Sequence, residues 1–218
     1  MNPLQMLATK PWEQGGQELP TMSRGSAGSV GLWVTLAVIT SLFFLFVLSS
    51  IMRSQSPDWQ PLTEQPWQPL FDLKPLWINT LILLASSMTM QLAYLKKQQG
   101  EGRWALLVAL VLALGFIGGQ WSVWQSFAAA GFGLTSGPSA GFYYLLTGLH
   151  ALHLLAALLV VAWLLPQLWQ PQRGRASLRL LTRYWHYLFG LWCALFALVS
   201  QPPGRYETLA ALCGIAVN

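Results

Sequence analysis

An all-helical membrane protein, a bundle of five transmembrane helices, is the fold class this sequence predicts, and three observations predict it. Of the 218 residues, 54% are hydrophobic and only 9% are charged, where a soluble domain carries about 25% charged residues. Five apolar stretches, at about 29–52, 76–95, 104–127, 140–165 and 178–200, are each long enough to cross a bilayer as a helix. These stretches are apolar on every side and lack the polar–apolar alternation of a β-barrel strand.

The elements follow in order. Residues 1–27 are polar and rich in Gly, Pro and Gln. They lack the basic start and small-residue cleavage site of a signal peptide, so the first stretch is expected to stay as a span. The loop at 53–75 holds five prolines, and proline fixes φ and removes a donor, which excludes helix and central strand. Its Trp59 and Trp67 suit the headgroup region, so the loop is expected to lie flat on the outer face. In the second span Asn79, Leu83, Ser86 and Met90 follow helical spacing. That face should meet other protein, because an unpaired amide in hydrocarbon is costly. The third span carries Gly115 and Gly119, Gly118 and Ser122, and Ser122 and Ser126 four residues apart. Small residues at that spacing let helices approach closely, which predicts a central third helix. Near the start of the fifth, Tyr184, Trp185 and Tyr187 form an interfacial aromatic belt. His186, Gly190, Cys193 and Ala197 then form a small and polar stripe, with Cys193 read as a packing residue. Residues 201–218 form a short terminal segment in which 206–218 is too short to span.

The net charge of +5 reads as topology. Lys and Arg divide nine against three between alternate sides of the spans. Basic residues favour the cytoplasmic side, so the N-terminus is expected in the cytoplasm and the C-terminus in the periplasm. Nucleic-acid binding is not expected.

Two of the three histidines, His150 and His153, sit in the fourth span, "FYYLLTGLHALHLLAALLVVAWLL". Residues three apart on a helix are neighbours, and Tyr143 and Thr147 extend the stripe. Imidazole is the commonest side-chain metal ligand. A bis-histidine haem would need His186, which topology puts toward the other side of the membrane, and the spans offer no carboxylate to complete a metal shell. The reading is therefore neutral imidazoles in interhelical hydrogen bonds, with no metal. Gln120, a lone amide in the third span, could bond a neighbouring helix. No nucleophile–base pair, paired carboxylates or phosphate-cradling loop is visible, so no catalytic centre is expected in this chain.

Five stretches together resemble one family, subunit III of the haem-copper oxidases. "FYYLLTGLHALHLL" resembles a Thr-Gly-x-His-x-x-His element and "YWHYLFGLW" a Tyr-Trp-His element. "SPDWQPL", "LWINTLILLASS" and "GGQWSVW" support them in order, over about residues 28–200. The five-helix form is similar to the short bacterial version. The resemblance implies an accessory subunit in the bacterial inner membrane, without haem or copper of its own. Such a subunit packs directly on subunit I of a respiratory oxidase, with subunit II and a small subunit IV in the assembly. Haem and copper lie in the partner subunits. It holds phospholipids in a cleft and supports proton uptake and sustained turnover. Asn79, Thr80, Gln120, Thr147, His150, His153, Trp185 and His186 match motif positions, with Tyr143 on the same stripe. The chain departs from the family where members carry acids, near Ser41, Val123 and Phe189, so roles needing those carboxylates are not expected. Cytochrome c oxidase is favoured over a quinol oxidase or a nitric-oxide-reductase accessory protein. An autonomous b-type cytochrome and a transporter, which would show repeats or broken helices, rank lower.

Overall fold

The computed structural model describes residues 24–63, 70, 72–99, 101–170 and 174–202, with side chains from 27 onward, and isolated positions 208, 211 and 214. The polar segment before residue 24, Trp67, Cys213 and nearly all of the C-terminal segment lie outside the described residues. Five long α-helices carry the fold: α1 (Arg24–Arg53), α2 (Lys74–Leu95), α3 (Gly102–Ala129), α4 (Pro138–Trp169) and α5 (Arg175–Val199). A 3₁₀ turn, Lys97–Gln99, joins α2 to α3. Pro75 and Pro138 open α2 and α4, where the missing N–H would have had no helical partner.

Helices α1 to α4 are long and apolar enough to cross a membrane. The fifth expected span is a helix of 25 residues, about 38 Å long, but its composition is less apolar. Arg175, Arg179 and Arg183 occupy its first turns, ahead of the aromatic belt. The helix is strongly two-faced. Leu178, Leu181, Thr182, Trp185, Leu188, Trp192, Leu195 and Phe196 are buried, while the three arginines and His186 lie on exposed positions.

Helix α5 packs against α1, α2 and α4, whereas α3 packs along α2 and more lightly against α4. The expectation of a central third helix is thus corrected. Gly118, Ser122 and Ser126 lie on exposed positions of α3, while Gly115 and Gly119 do face α2 at Ile82 and Asn79, beside the buried row of Leu106, Ala109, Ala113, Phe116, Gln120, Val123 and Phe127. Small residues permit close approach on whichever face meets a neighbour, and spacing alone does not say which face that is.

Helix α1 stands apart. Only 11% of its apolar stretch is buried, against 33–44% for α2 to α4. It joins the others through a small separate cluster of Ile39, Phe43, Leu146 and Leu195. The described part of the loop after α1 packs on the bundle. It sends Leu62 and Leu70 into the main core, closed by a Leu70 N–H bond to the Leu62 carbonyl at 3.1 Å. Trp59 sets its ring 6.2 Å from Phe142, at the start of α4.

The opposite end of the bundle is held by Lys97. Its side chain is only 4% exposed, and its Nζ donates to the Leu168 carbonyl in the last turn of α4. Pro166, inside that turn, cannot donate a helical hydrogen bond. A cation at a helix C-terminus also meets the negative end of the macrodipole. Burial lowers the Lys97 ammonium from the ordinary lysine value. Gly174 enters α5 with φ +73°, the left-handed conformation glycine adopts without strain.

Candidate functional site

The polar side chains inside the bundle fall into three layers, each tied by hydrogen bonds between helices. Nearest the 54–73 loop, Asn79 Nδ2 donates to Gln120 Oε1 at 3.5 Å, and Gln120 Nε2 donates to the Tyr143 hydroxyl at 3.1 Å. The chain thus joins α2, α3 and α4. Tyr143 stacks on Phe127 at 4.7 Å between centroids. Thr147 accepts from Trp124 Nε1 at 3.1 Å and donates to its own helix at the Tyr143 carbonyl, 2.7 Å away. A Cβ at Gly119 would overlap the Asn79 amide, so glycine there lets the amide reach Gln120.

In the middle layer Trp192 Nε1 donates to Thr80 Oγ1 at 3.0 Å, and Thr80 donates to the Leu76 carbonyl. Trp192 lies edge-on to Phe116 at 4.8 Å and tilted against His150 at 5.3 Å. In the third layer Ser86 accepts from Trp185 Nε1 at 3.0 Å and donates to the Ala109 carbonyl at 2.7 Å. One hydroxyl therefore links α2, α3 and α5.

The histidines divide differently from the expectation. His150 is fully buried, and neither ring nitrogen has a hydrogen-bond partner among the described residues. Its neighbours are the rings of Phe116 and Trp192. His153 is half-buried, 5.6 Å from the Phe43 ring of α1. Its Nδ1 lies 2.7 Å from the Leu149 carbonyl of its own helix, so Nδ1 carries the proton. Among the described residues the interhelical hydrogen bonds expected of His150 and His153 are therefore not found, because their offset around the helix points them at apolar rings of different helices. His186, read as a packing group, makes such bonds instead. Its Nε2 donates to Gln91 Oε1 at 3.1 Å, which leaves Nδ1 to accept from Ser87 Oγ at 2.6 Å. His150 and His186 do not meet. Trp192, which packs on His150, is six residues along α5 from His186, about 9 Å of helix rise. Among the described residues no three His, Cys, Asp or Glu side chains come together.

Most motif positions from the sequence do converge. Asn79, Thr80, Gln120, Tyr143, Thr147, His150 and Trp185 are all buried. Of the departures, Ser41 is exposed and bonds its own helix at Ala37, while Val123 is buried. The sequence reading missed Trp192 and Lys97. A tryptophan in an aromatic-rich span and a lysine in a basic loop carry no signal that separates a buried donor from an exposed one.

Comparison with known proteins decides what this arrangement belongs to. Residues 15–201 match the family model of cytochrome c oxidase subunit III. The chain belongs to that family. It is 29% identical over 189 residues to the probable cytochrome c oxidase subunit 3 of Mycobacterium leprae, covering 82% of this chain and 90% of that protein. It is 30% identical over 136 residues to the cytochrome bo(3) ubiquinol oxidase subunit 3 of Pseudomonas aeruginosa, covering 60% of this chain and 65% of that one. It is also 30% identical over 177 residues to the heme-copper oxidase subunit I+III of Aeropyrum pernix, covering 77% of this chain and 22% of that fused chain. As a subunit III, the chain is a membrane component of a haem-copper oxidase. Its layers of Trp, Thr, Ser and amide side chains then read as the joinery of an accessory bundle.

Proposed function

We propose that this subunit III serves a cytochrome c oxidase of a bacterial inner membrane. All five helices cross, with the N-terminus cytoplasmic, the 54–73 loop periplasmic and the C-terminus periplasmic. The chain packs on subunit I, beside subunit II and a small subunit IV, and holds no redox group. Electrons and oxygen are handled by haem and copper in its partners. Its role is to keep subunit I supplied with protons and to sustain turnover.

The observation that carries this reading is family membership combined with a core in which most polar groups, His150 apart, are spent on helix joinery. Asn79, Thr80, Ser86, Gln120, Trp185 and Trp192 bond one another or backbone carbonyls. The fused subunit I+III relative supports contact with subunit I. Grooves of about 720 and 400 Å³ flank α1, lined by apolar residues such as Phe44, Leu195, Leu32 and Val160. Their shape and lining suit phospholipid acyl chains. A quinol oxidase is the second reading, favoured by the similarity to the ubiquinol oxidase subunit.

Removing the gene product from its oxidase tests the proposal. Initial oxygen reduction by the remaining subunits should persist, with cytochrome c as donor, while activity decays faster during sustained turnover. Immediate loss of haem, or equal endurance with and without the chain, would contradict it.

A further inference from the structure

At the loop end of the bundle lies a cavity of about 30 Å³, walled by the 59–63 loop, α1, the start of α4 and the end of α5. Its polar lining comprises Ser50, Thr63, Ser139, Tyr143 and Gln201, with Trp59 beside them. Ser139 is 6% exposed and lines the cavity from the first turn of α4. Tyr143, one turn along the same face of α4, accepts from Gln120, and its own proton has no acceptor among the described residues, so it can point into the cavity. Ser50 and Thr63 spend their protons on the Val47 and Gln201 carbonyls, leaving oxygen lone pairs to accept.

We propose that this cavity is a binding site for one or two ordered water molecules. Size and chemistry select the occupant. A buried water needs at least about 10–15 Å³ and two to four polar partners, and both are present. The volume is too small for a lipid chain. Among the described residues no charged side chain lines it, so a buried ion would go uncompensated by them. The water takes the Ser139 proton and gives its own to the hydroxyl oxygens of Ser50 or Thr63. It thereby adds links from α1 and α4 to the direct Thr63–Gln201 bond that already ties the loop to the end of α5, and it fastens the loop over the bundle. An apolar filling would set the Ser139 hydroxyl against apolar atoms, which is costly in a membrane protein's interior.

The test is a water-resolving map of the intact complex that the chain purifies with. The expected result is a peak at hydrogen-bonding distance from Ser139 Oγ and from an oxygen of Ser50, Thr63 or Tyr143. A cavity without a peak, or one filled by a protein side chain, would overturn the proposal. Ser139→Ala in the same complex should remove the peak. Cleavage of the 54–63 segment by proteinase K should then run roughly fivefold faster, the effect of one hydrogen bond on local opening. Ser139→Thr, which keeps the hydroxyl, should restore slow cleavage. Unchanged cleavage in Ser139→Ala with the peak still present would also overturn it.

Discussion

Gly119→Ala isolates the layer that joins α2, α3 and α4. The new Cβ would overlap Asn79 Oδ1 and crowd the rest of that amide. Asn79 is 3% exposed, so the amide has little room to turn, and turning breaks its bond to Gln120. Overpacking costs about 1–3 kcal/mol, and an interhelical hydrogen bond in a membrane bundle averages about 0.6 kcal/mol. Alanine returns up to about 1 kcal/mol of helix propensity. The expected net loss is about 1–3 kcal/mol. Asn79→Ala alone should cost about 1–2 kcal/mol, because Gln120 Oε1 loses its donor. In the double variant the clash has no partner. Adding Gly119→Ala to Asn79→Ala should therefore be neutral, or stabilising by up to about 1 kcal/mol. The change of sign is the signature. It can be read by titrating the purified protein from mild detergent into SDS and following tryptophan fluorescence. An equal cost of Gly119→Ala in both backgrounds would refute the placement of Asn79 against Gly119.

Other perturbations probe separate layers. His150→Leu removes two buried nitrogens without partners among the described residues, so thermal stability should hold or rise by about 1 kcal/mol; a loss above about 2 kcal/mol would mean that the imidazole has a partner. His150→Ala instead opens space between Phe116 and Trp192, and should lower complex stability or lipid retention more than initial turnover. Trp192→Phe deletes the donor to Thr80 and should cost about 1 kcal/mol in the same SDS titration, whereas Trp192→Ala should cost about 3–5 kcal/mol. Lys97→Met leaves the Leu168 carbonyl buried without its donor and should cost about 1–3 kcal/mol, read as a lower thermal midpoint. The Arg53 hydrogen bond holds Asp58 below the ordinary carboxylate value. That clasp is complete above the ordinary value and is lost as pH falls through the lowered one, so cleavage of the loop beside it should quicken only in acid, and Asp58→Asn should abolish the pH dependence.

The sequence was legible where hydrophobicity decides the outcome. Length and apolar content marked α1 to α4, and the buried spacing of Asn79, Leu83, Ser86 and Met90 was visible because amides and hydroxyls in hydrocarbon must find protein. The face of α3 was not legible. Gly118, Ser122 and Ser126 can pack or stay exposed with equal local cost, and only the bulky row from Leu106 to Phe127 decides. The histidines misled for a related reason. Positions 150 and 153 sit about 60° apart around the helix, enough to put one among aromatic rings of the core and the other against α1. His186 was read as part of a packing stripe with Gly190, Cys193 and Ala197, yet Ser87 and Gln91 of α2 are within its hydrogen-bonding reach. Lys97 entered only the count of basic residues on one side of the spans, since nothing local announces that a carbonyl seventy-one residues away will accept its hydrogen bond.

The most direct measurement is purification of the tagged chain in mild detergent, with co-purifying polypeptides identified by mass and haem followed by absorbance. The account predicts that a large polytopic subunit comes with it and carries the haem and copper, while the chain freed from that partner absorbs only as protein. A chain that purifies alone with its own haem would contradict it.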